Sequence, residues 1–237
     1  MHLVNRHRHD FHTWRRIEWQ AIWHYLDAKA GQRILDLACG KGYYASKIAS
    51  QGLTVYGLDL DPVKLNWAVK YHSDPSCYYL LGNGEKLPYL DESFDRVVSV
   101  CALEHFSDHM VALHEIKRVL RPSGILVLSV DSLANPYVTD GLRAHHQRLY
   151  QAPTLFSRNF LCSCLEEVGL QVLESRSLFR SRIGHLLYQW GAQRGFTGFA
   201  FLVSFPIAVL LVIIGDMFTS SETGGYIVVA KAIRPTV

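Results

Sequence analysis

Apolar and polar positions along the chain follow two periods. From Phe11 to Tyr25, Trp14, Ile17, Ala21 and Tyr25 share one face at helical spacing while Arg15, Arg16 and Glu18 fall elsewhere, which predicts an amphipathic helix laid over the rest of the fold. Arg33 to Ala38 is a short apolar run closed by Cys39-Gly40-Lys41-Gly42, the pattern of a buried strand that ends in a glycine turn. A helix from about Tyr43 to Ser50 follows, then a β-rich run from Thr54 to Leu58 ending at Asp59. Pro62 stands where a first helical turn tolerates proline and opens a helix to about Tyr71. Cys77–Leu81 and Arg96–Cys101 read as strands, Asp108–Leu120 as a helix ended by Pro122 and Gly124, and Ile125–Val130 as a strand closed by Asp131. After a looser stretch, Ser157 caps a helix to about Val168, and Gln171–Glu174 and Gly225–Lys231 are the last strands.

Apolar strands alternating with helices indicate a parallel sheet covered on both faces. The predicted fold is α/β, a Rossmann-like doubly wound sheet in a single domain. Residues 1–30 form a helical cover, 31–131 a cofactor-binding core and 132–237 an acceptor-side region.

Composition narrows the function. The 237 residues are 49% hydrophobic and 19% charged, too apolar for a disordered chain. With 24 Lys+Arg against 21 Asp+Glu the formal net charge is only +3, which argues against a nucleic-acid partner. The five cysteines are odd in number and lack paired zinc or disulfide spacing, so no metal site is expected and a reducing compartment is. Cys162 and Cys164, two apart on a helix, point to different faces. The histidine-rich start, His2, His7, His9 and His12, reads as a solvated terminus rather than a metal site or a secretory leader.

The surplus of apolar residues sits in one place. From Gly195 to Gly215, 21 residues carry no charge, and Arg176, Arg180, Arg182 and Arg194 precede the run with no Asp or Glu among them. That length reaches across a bilayer. A single crossing, however, would leave the last strand on the wrong side of the membrane, and Pro206 interrupts the run. Peripheral or monotopic attachment of a cytoplasmic enzyme is therefore expected, with burial against the domain or a homodimer as the alternative.

The chemistry is concentrated where strands end. A glycine turn directly after the first strand offers bare backbone N–H groups and a helix N-terminus at the carboxyl edge of the sheet. Asp59 ends the second strand 17 residues after Gly42, near the distance at which an acid meets a ribose diol. Gly40-Lys41-Gly42-Tyr43-Tyr44-Ala45 also fits a dinucleotide turn, but Asp36, four residues before Gly40, would then face a pyrophosphate. A cofactor with an ammonium and a sulfonium group has a use for that acid.

Five blocks in order resemble class I S-adenosylmethionine-dependent methyltransferases, in the group similar to the ubiquinone and menaquinone biosynthesis enzymes. They are Ile34 to Gly42, Val55 to Asp59, Gly82 to Tyr89 with Asp91 to Asp95, Leu103-Glu104-His105, and Glu115 to Gly124. The resemblance implies a seven-stranded sheet with an antiparallel last strand and S-adenosyl-L-methionine as cofactor; the apolar segment then falls between strands six and seven, Gln171–Glu174 and Gly225–Lys231. It assigns Asp36 to the amino end of the cofactor. Ala38, Gly40 and Gly42 would let backbone approach the methionyl part, and Asp59 with Leu60 would hold the ribose end. Asn83 would accept from the adenine amino group, Gly84 and Glu85 would line the same pocket, and Cys101 and His105 would sit beneath the methyl group. Ala38 and Asn83 depart from the family's commoner glycine and acid.

For a hydroxyl acceptor a base is needed. His105 and His146 are the assigned catalytic residues; Asp131 and His145 are further candidates, and Tyr150 follows His146 by one helical turn. The expected activity is O- or C-methylation of a small or lipid-like acceptor. The competing readings are a soluble enzyme acting on a sugar or metabolite, a non-catalytic binding module, and an NAD(P)-dependent oxidoreductase.

Overall fold

The structure is a computed structural model that describes residues 13–134, 138–150, 152–193, 207, 210–219 and 224–236. Its elements in chain order are α1 (Thr13–Leu26), β1 (Arg33–Leu37), α2 (Tyr43–Ala49), β2 (Thr54–Asp59), α3 (Pro62–Tyr71), β3 (Cys77–Leu81) and β4 (Phe94–Val100). There follow a 3-10 turn (Leu103–His105), α4 (His109–Val119), β5 (Leu120–Asp131), α5 (Asp140–Tyr150), α6 (Arg158–Glu167), β6 (Gln171–Leu178), α7 (Arg182–Gln193), a helix α8 over residues 210–217, and β7 (Ile227–Ile233).

The seven strands form one sheet in the order β3-β2-β1-β4-β5-β7-β6. The first five are parallel, and β7 runs antiparallel between β5 and β6. Successive strand residues alternate between two cores. Ile34, Val98 and Val127 pack on the face under α1 and α2, and Leu35, Val97 and Leu126 on the face under α4 and α6. The predicted fold class is the one found, with the insertion between β6 and β7 as expected.

Local chemistry accounts for the helix starts. Asp61 accepts from the backbone N–H groups of Val63 and Lys64 with Pro62 in the first turn, Asp108 caps α4 in the same way, and the Ser157 hydroxyl caps α6. Three expectations change. The looser stretch after β5 contains α5, a helix with few apolar residues, and the basic stretch before the insertion contains α7. Glu18 does not point away from the fold. The residues that α1 buries are Glu18, Trp19, Ala21, Ile22, Tyr25 and Leu26, and Glu18 is among them because its polar partners stand on β5 and after β4. Most of the apolar run, including Pro206, lies outside the described residues.

Candidate functional site

The chain lays down β1, β2 and β3 in one direction from the middle of the sheet and β4 and β5 in the other, so the connections that leave the carboxyl ends of the paired strands β1 and β4 run opposite ways. Such a switch point leaves a crevice outside the strand ends. A cavity of about 460 Å³ opens there, walled by the ends of β1, β2 and β4 and by residues 82–85 and 105–107.

Asp36, Ala38, Gly40, Asp59 and Leu60 line its first half, and Asn83, Gly84, Glu85, Cys101 and His105 its second. Gly42 stands behind the wall. It caps α2 at φ 78°, and a side chain there would strike the Tyr79 ring and Ala68. His146 lies on α5, but its side chain falls outside the described residues, as do those of His145 and Tyr150.

The turn after β1 is held tightly. Ala38, Gly40 and Gly42 all have left-handed backbone, at φ 58°, 56° and 78°. Ala38 is the one that bears strain, since a Cβ is disfavoured in that region. Asp59 holds the turn from the neighbouring strand. Its Oδ2 accepts from the Gly40 N–H at 2.7 Å and its Oδ1 from the Asp61 N–H at 2.9 Å, which fixes a carboxylate with one lone pair left on each oxygen.

Asp36 is different. Its carboxyl is buried, its Oδ2 has no hydrogen-bond partner among the described residues, and burial together with the nearby Asp59 charge pushes its pKa up to about 8. A cation brought beside it would favour its ionised form.

On the far side of the cavity the Asn83 amide oxygen accepts from the Glu85 N–H at 2.9 Å, and Glu85 accepts from the Asp108 N–H at 3.0 Å, joining this loop to the start of α4. Gly84 is required by contact, because a Cβ would press on Phe106 and Leu37.

Beyond β4, acids stand behind the part of the wall that Cys101 forms. Cys101 is left-handed at φ 45°, its N–H donating to the Ser129 carbonyl at 3.0 Å. Its thiol donates to Glu18 Oε1 at 3.0 Å and lies 3.6 Å from Asp131 Oδ1. The Asp131 N–H in turn donates to Glu104 Oε1 at 2.9 Å. Of these, Glu18 was missed in the sequence because its neighbours at helical spacing are apolar on one side and basic on the other. Tyr44, two residues after the glycine turn, also lines the cavity.

Comparison with known proteins gives the family. Residues 35–128 match the family described as a methyltransferase domain. O-methyltransferase rstn1 of Aspergillus nomiae is 31% identical over 154 residues, 63% of this chain and 68% of that one. The chain belongs to the S-adenosylmethionine-dependent methyltransferases.

S-adenosylmethionine is thus the cofactor class of this fold. O-methyltransferase resE of Aspergillus sclerotiorum is 32% identical over 63% of this chain and 58% of its own length. A probable phthiotriol/phenolphthiotriol dimycocerosates methyltransferase 2 of Mycobacterium ulcerans is 39% identical over 40% of this chain and 38% of its own. The chain therefore spans between 38% and 68% of these relatives. The fold likeness extends further: phosphoethanolamine N-methyltransferase 2 of Haemonchus contortus, solved with S-adenosyl-L-methionine, superposes with a TM-score of 0.69 over 92% of this chain and 52% of its own at 22% identity.

Proposed function

We propose that this chain binds S-adenosylmethionine in the cavity at the β1/β4 switch point and methylates an oxygen or carbon of a small or lipid-like acceptor that enters beside Cys101 and His105. The observation that carries the reading is the pair of acids on adjacent strand ends, the buried Asp36 carboxyl without a partner on Oδ2 and the fixed Asp59 carboxylate, with a left-handed turn between them.

The cofactor, when bound, supplies a methyl group on a positively charged sulfur with a neutral thioether as leaving group. Asp36 holds its ammonium, and that charge returns Asp36 to the ionised form. Asp59 accepts from the ribose hydroxyls through its remaining lone pairs. Ala38 and Gly40 keep side chains out of the way of the methionyl part, Leu60 and Asn83 border the adenosine end, and Gly84 with Glu85 closes that wall. The chain's own contribution to rate is alignment, exclusion of water and removal of a proton. His105, exposed on the 3-10 turn and lining the cavity, takes the proton from an acceptor hydroxyl. His146 remains a proposed acceptor-side residue.

Transfer of tritium from labelled S-adenosylmethionine into fractionated lipid and metabolite extracts tests the activity. Label should enter one fraction, and His105→Gln should slow it by about a hundredfold while S-adenosylhomocysteine affinity stays within about twofold. No label in any fraction, with the cofactor bound, would favour a binding module.

A specific observation supports the lipid-like branch. Among residues 210–219, Val212 alone is buried, whereas Leu210, Leu211, Ile213, Ile214, Met217 and Phe218 are exposed. Ile183 and Leu186 on α7 are exposed too, beside the exposed Arg182. No helix among the described residues is long and apolar enough to cross a membrane. An apolar face next to a basic residue suits attachment to the surface of an anionic bilayer, from which the acceptor would be taken.

A further inference from the structure

Glu18 is a charged residue with no exposed surface, placed on a helix that contributes nothing itself to the cavity wall. A buried carboxylate persists only where hydrogen bonds hold it. Among the described residues its hydrogen-bond donors come from separate parts of the fold. Ser129 on β5 donates to Oε1 at 2.6 Å, the Cys101 thiol after β4 donates to the same oxygen at 3.0 Å, and the Tyr44 hydroxyl on α2 donates to Oε2 at 3.4 Å.

Two of those partners, Cys101 and Tyr44, line the cavity. Cys101 is also in a strained left-handed conformation at φ 45°, a state that survives only when its surroundings hold it from several sides. Here they do: Ser129 takes its backbone N–H and Glu18 its side chain. The neighbouring Trp19 stacks on Tyr44 with ring centroids 5.2 Å apart, so the same turn of α1 grips Tyr44 twice.

We propose that Glu18 is a positioning residue for methyl transfer. Through Tyr44 and Cys101 it sets the spacing of the two side chains that flank the methyl-bearing end of the cofactor site, and it makes the seating of α1 a condition for a formed pocket. The inference rests on the reading of the cavity given above.

The test uses the full chain and a readout that does not need turnover, the rate of Cys101 alkylation by iodoacetamide followed by mass spectrometry. The buried Cys39 and Cys164 serve as internal reporters of unfolding. Glu18→Ala should speed Cys101 alkylation about tenfold and weaken S-adenosylhomocysteine binding about tenfold, the loss expected for hydrogen bonds to a charged group. Cys39 and Cys164 should stay unmodified. Glu18→Gln, which keeps an acceptor oxygen and folds where Ala does not, should recover most of both losses.

Unchanged Cys101 reactivity and affinity in both variants would overturn the proposal. So would alkylation of Cys39 and Cys164 alongside Cys101 in both, which would reduce Glu18 to a structural residue. If the unsubstituted chain binds no S-adenosylhomocysteine, the reading of the cavity fails, and Cys101 alkylation alone then decides the role of Glu18.

Discussion

A carboxyl group buried at the end of β1 with a pKa near 8 makes the folded chain sensitive to pH in a direction opposite to most carboxylates. In the unfolded chain Asp36 ionises near pH 4. Between these values the folded state holds a proton that the unfolded state has lost, so this residue's contribution to stability falls as pH rises, by at most about 1.4 kcal/mol per unit, and levels off above pH 8. Asp36→Asn has no such slope. In urea melts at pH 5, 6, 7 and 8 the variant should gain steadily on the unsubstituted chain while its affinity for S-adenosylmethionine collapses; a constant stability difference across the series would mean that Asp36 titrates normally. Ala38 gives a second test at one position. Its left-handed φ of 58° is backbone that favours glycine, and Ala38→Gly should raise stability by about 1 kcal/mol, measured by the same melts, with cofactor affinity retained.

At the scale of elements, residues 87–91 of the loop before β4 are held by the Arg118 guanidinium. Arg118 on α4 bonds to Glu115 at 2.6 Å, to Asp91 at 2.8 Å and to the Tyr89 and Leu87 carbonyls at 2.8 and 3.1 Å. Those bonds hold Glu115 below the usual carboxylate range and Arg118 above its own. Arg118→Ala should cost about 2 kcal/mol in a thermal or urea melt, because it leaves the part-buried Glu115 carboxylate with the Leu87 N–H but no cation and takes a donor from the Leu87 and Tyr89 carbonyls. Arg118→Lys should rescue little, since an ammonium lacks the planar fork.

The elements legible in advance were those with strong local signals. β3 and α3 have the residues expected of them, Cys77–Leu81 and Pro62–Tyr71, because an apolar run between turns and an Asp61-Pro62 start leave little choice. α5 was invisible because its sequence carries Leu142 as a buried residue among Asp, Arg, His and Gln, and tertiary contact rather than periodicity holds it. β5 begins at Leu120, ahead of Pro122 and Gly124, because pairing with β4 shifts register there and accommodates both. The site divides in the same way. Asp36, Asp59 and the glycine turn are adjacent in motif and were readable, while the Glu18–Cys101–Ser129 cluster joins residues 83 and 111 positions from Glu18 along the chain. Nothing in local pattern marks a glutamate on an amphipathic helix as buried; only the partner brought by the sheet does.

The whole molecule divides its hydrophobic residues between two uses. The strands and their covering helices consume most of them in the two cores, and the 49% apolar fraction would suit an ordinary globular chain if that were all. The described end of the insertion instead turns large side chains outward. If that face meets a bilayer, the double variant Leu186→Ser with Leu211→Ser should lose about tenfold or more in co-sedimentation with anionic phosphatidylglycerol vesicles and keep its melting temperature, since both side chains are exposed. Equal sedimentation of variant and parent would remove the membrane reading and leave the methyltransferase reading intact.

Calorimetric titration of S-adenosylhomocysteine into the purified chain tests whether the pocket at the switch point is the cofactor site. One binding site per chain is expected, with a dissociation constant between about 1 μM and 1 mM, and at least about a tenfold loss in Asp59→Ala, whose carboxylate otherwise meets the ribose. Absence of binding heat, or binding of NAD(H) in its place, would contradict that assignment.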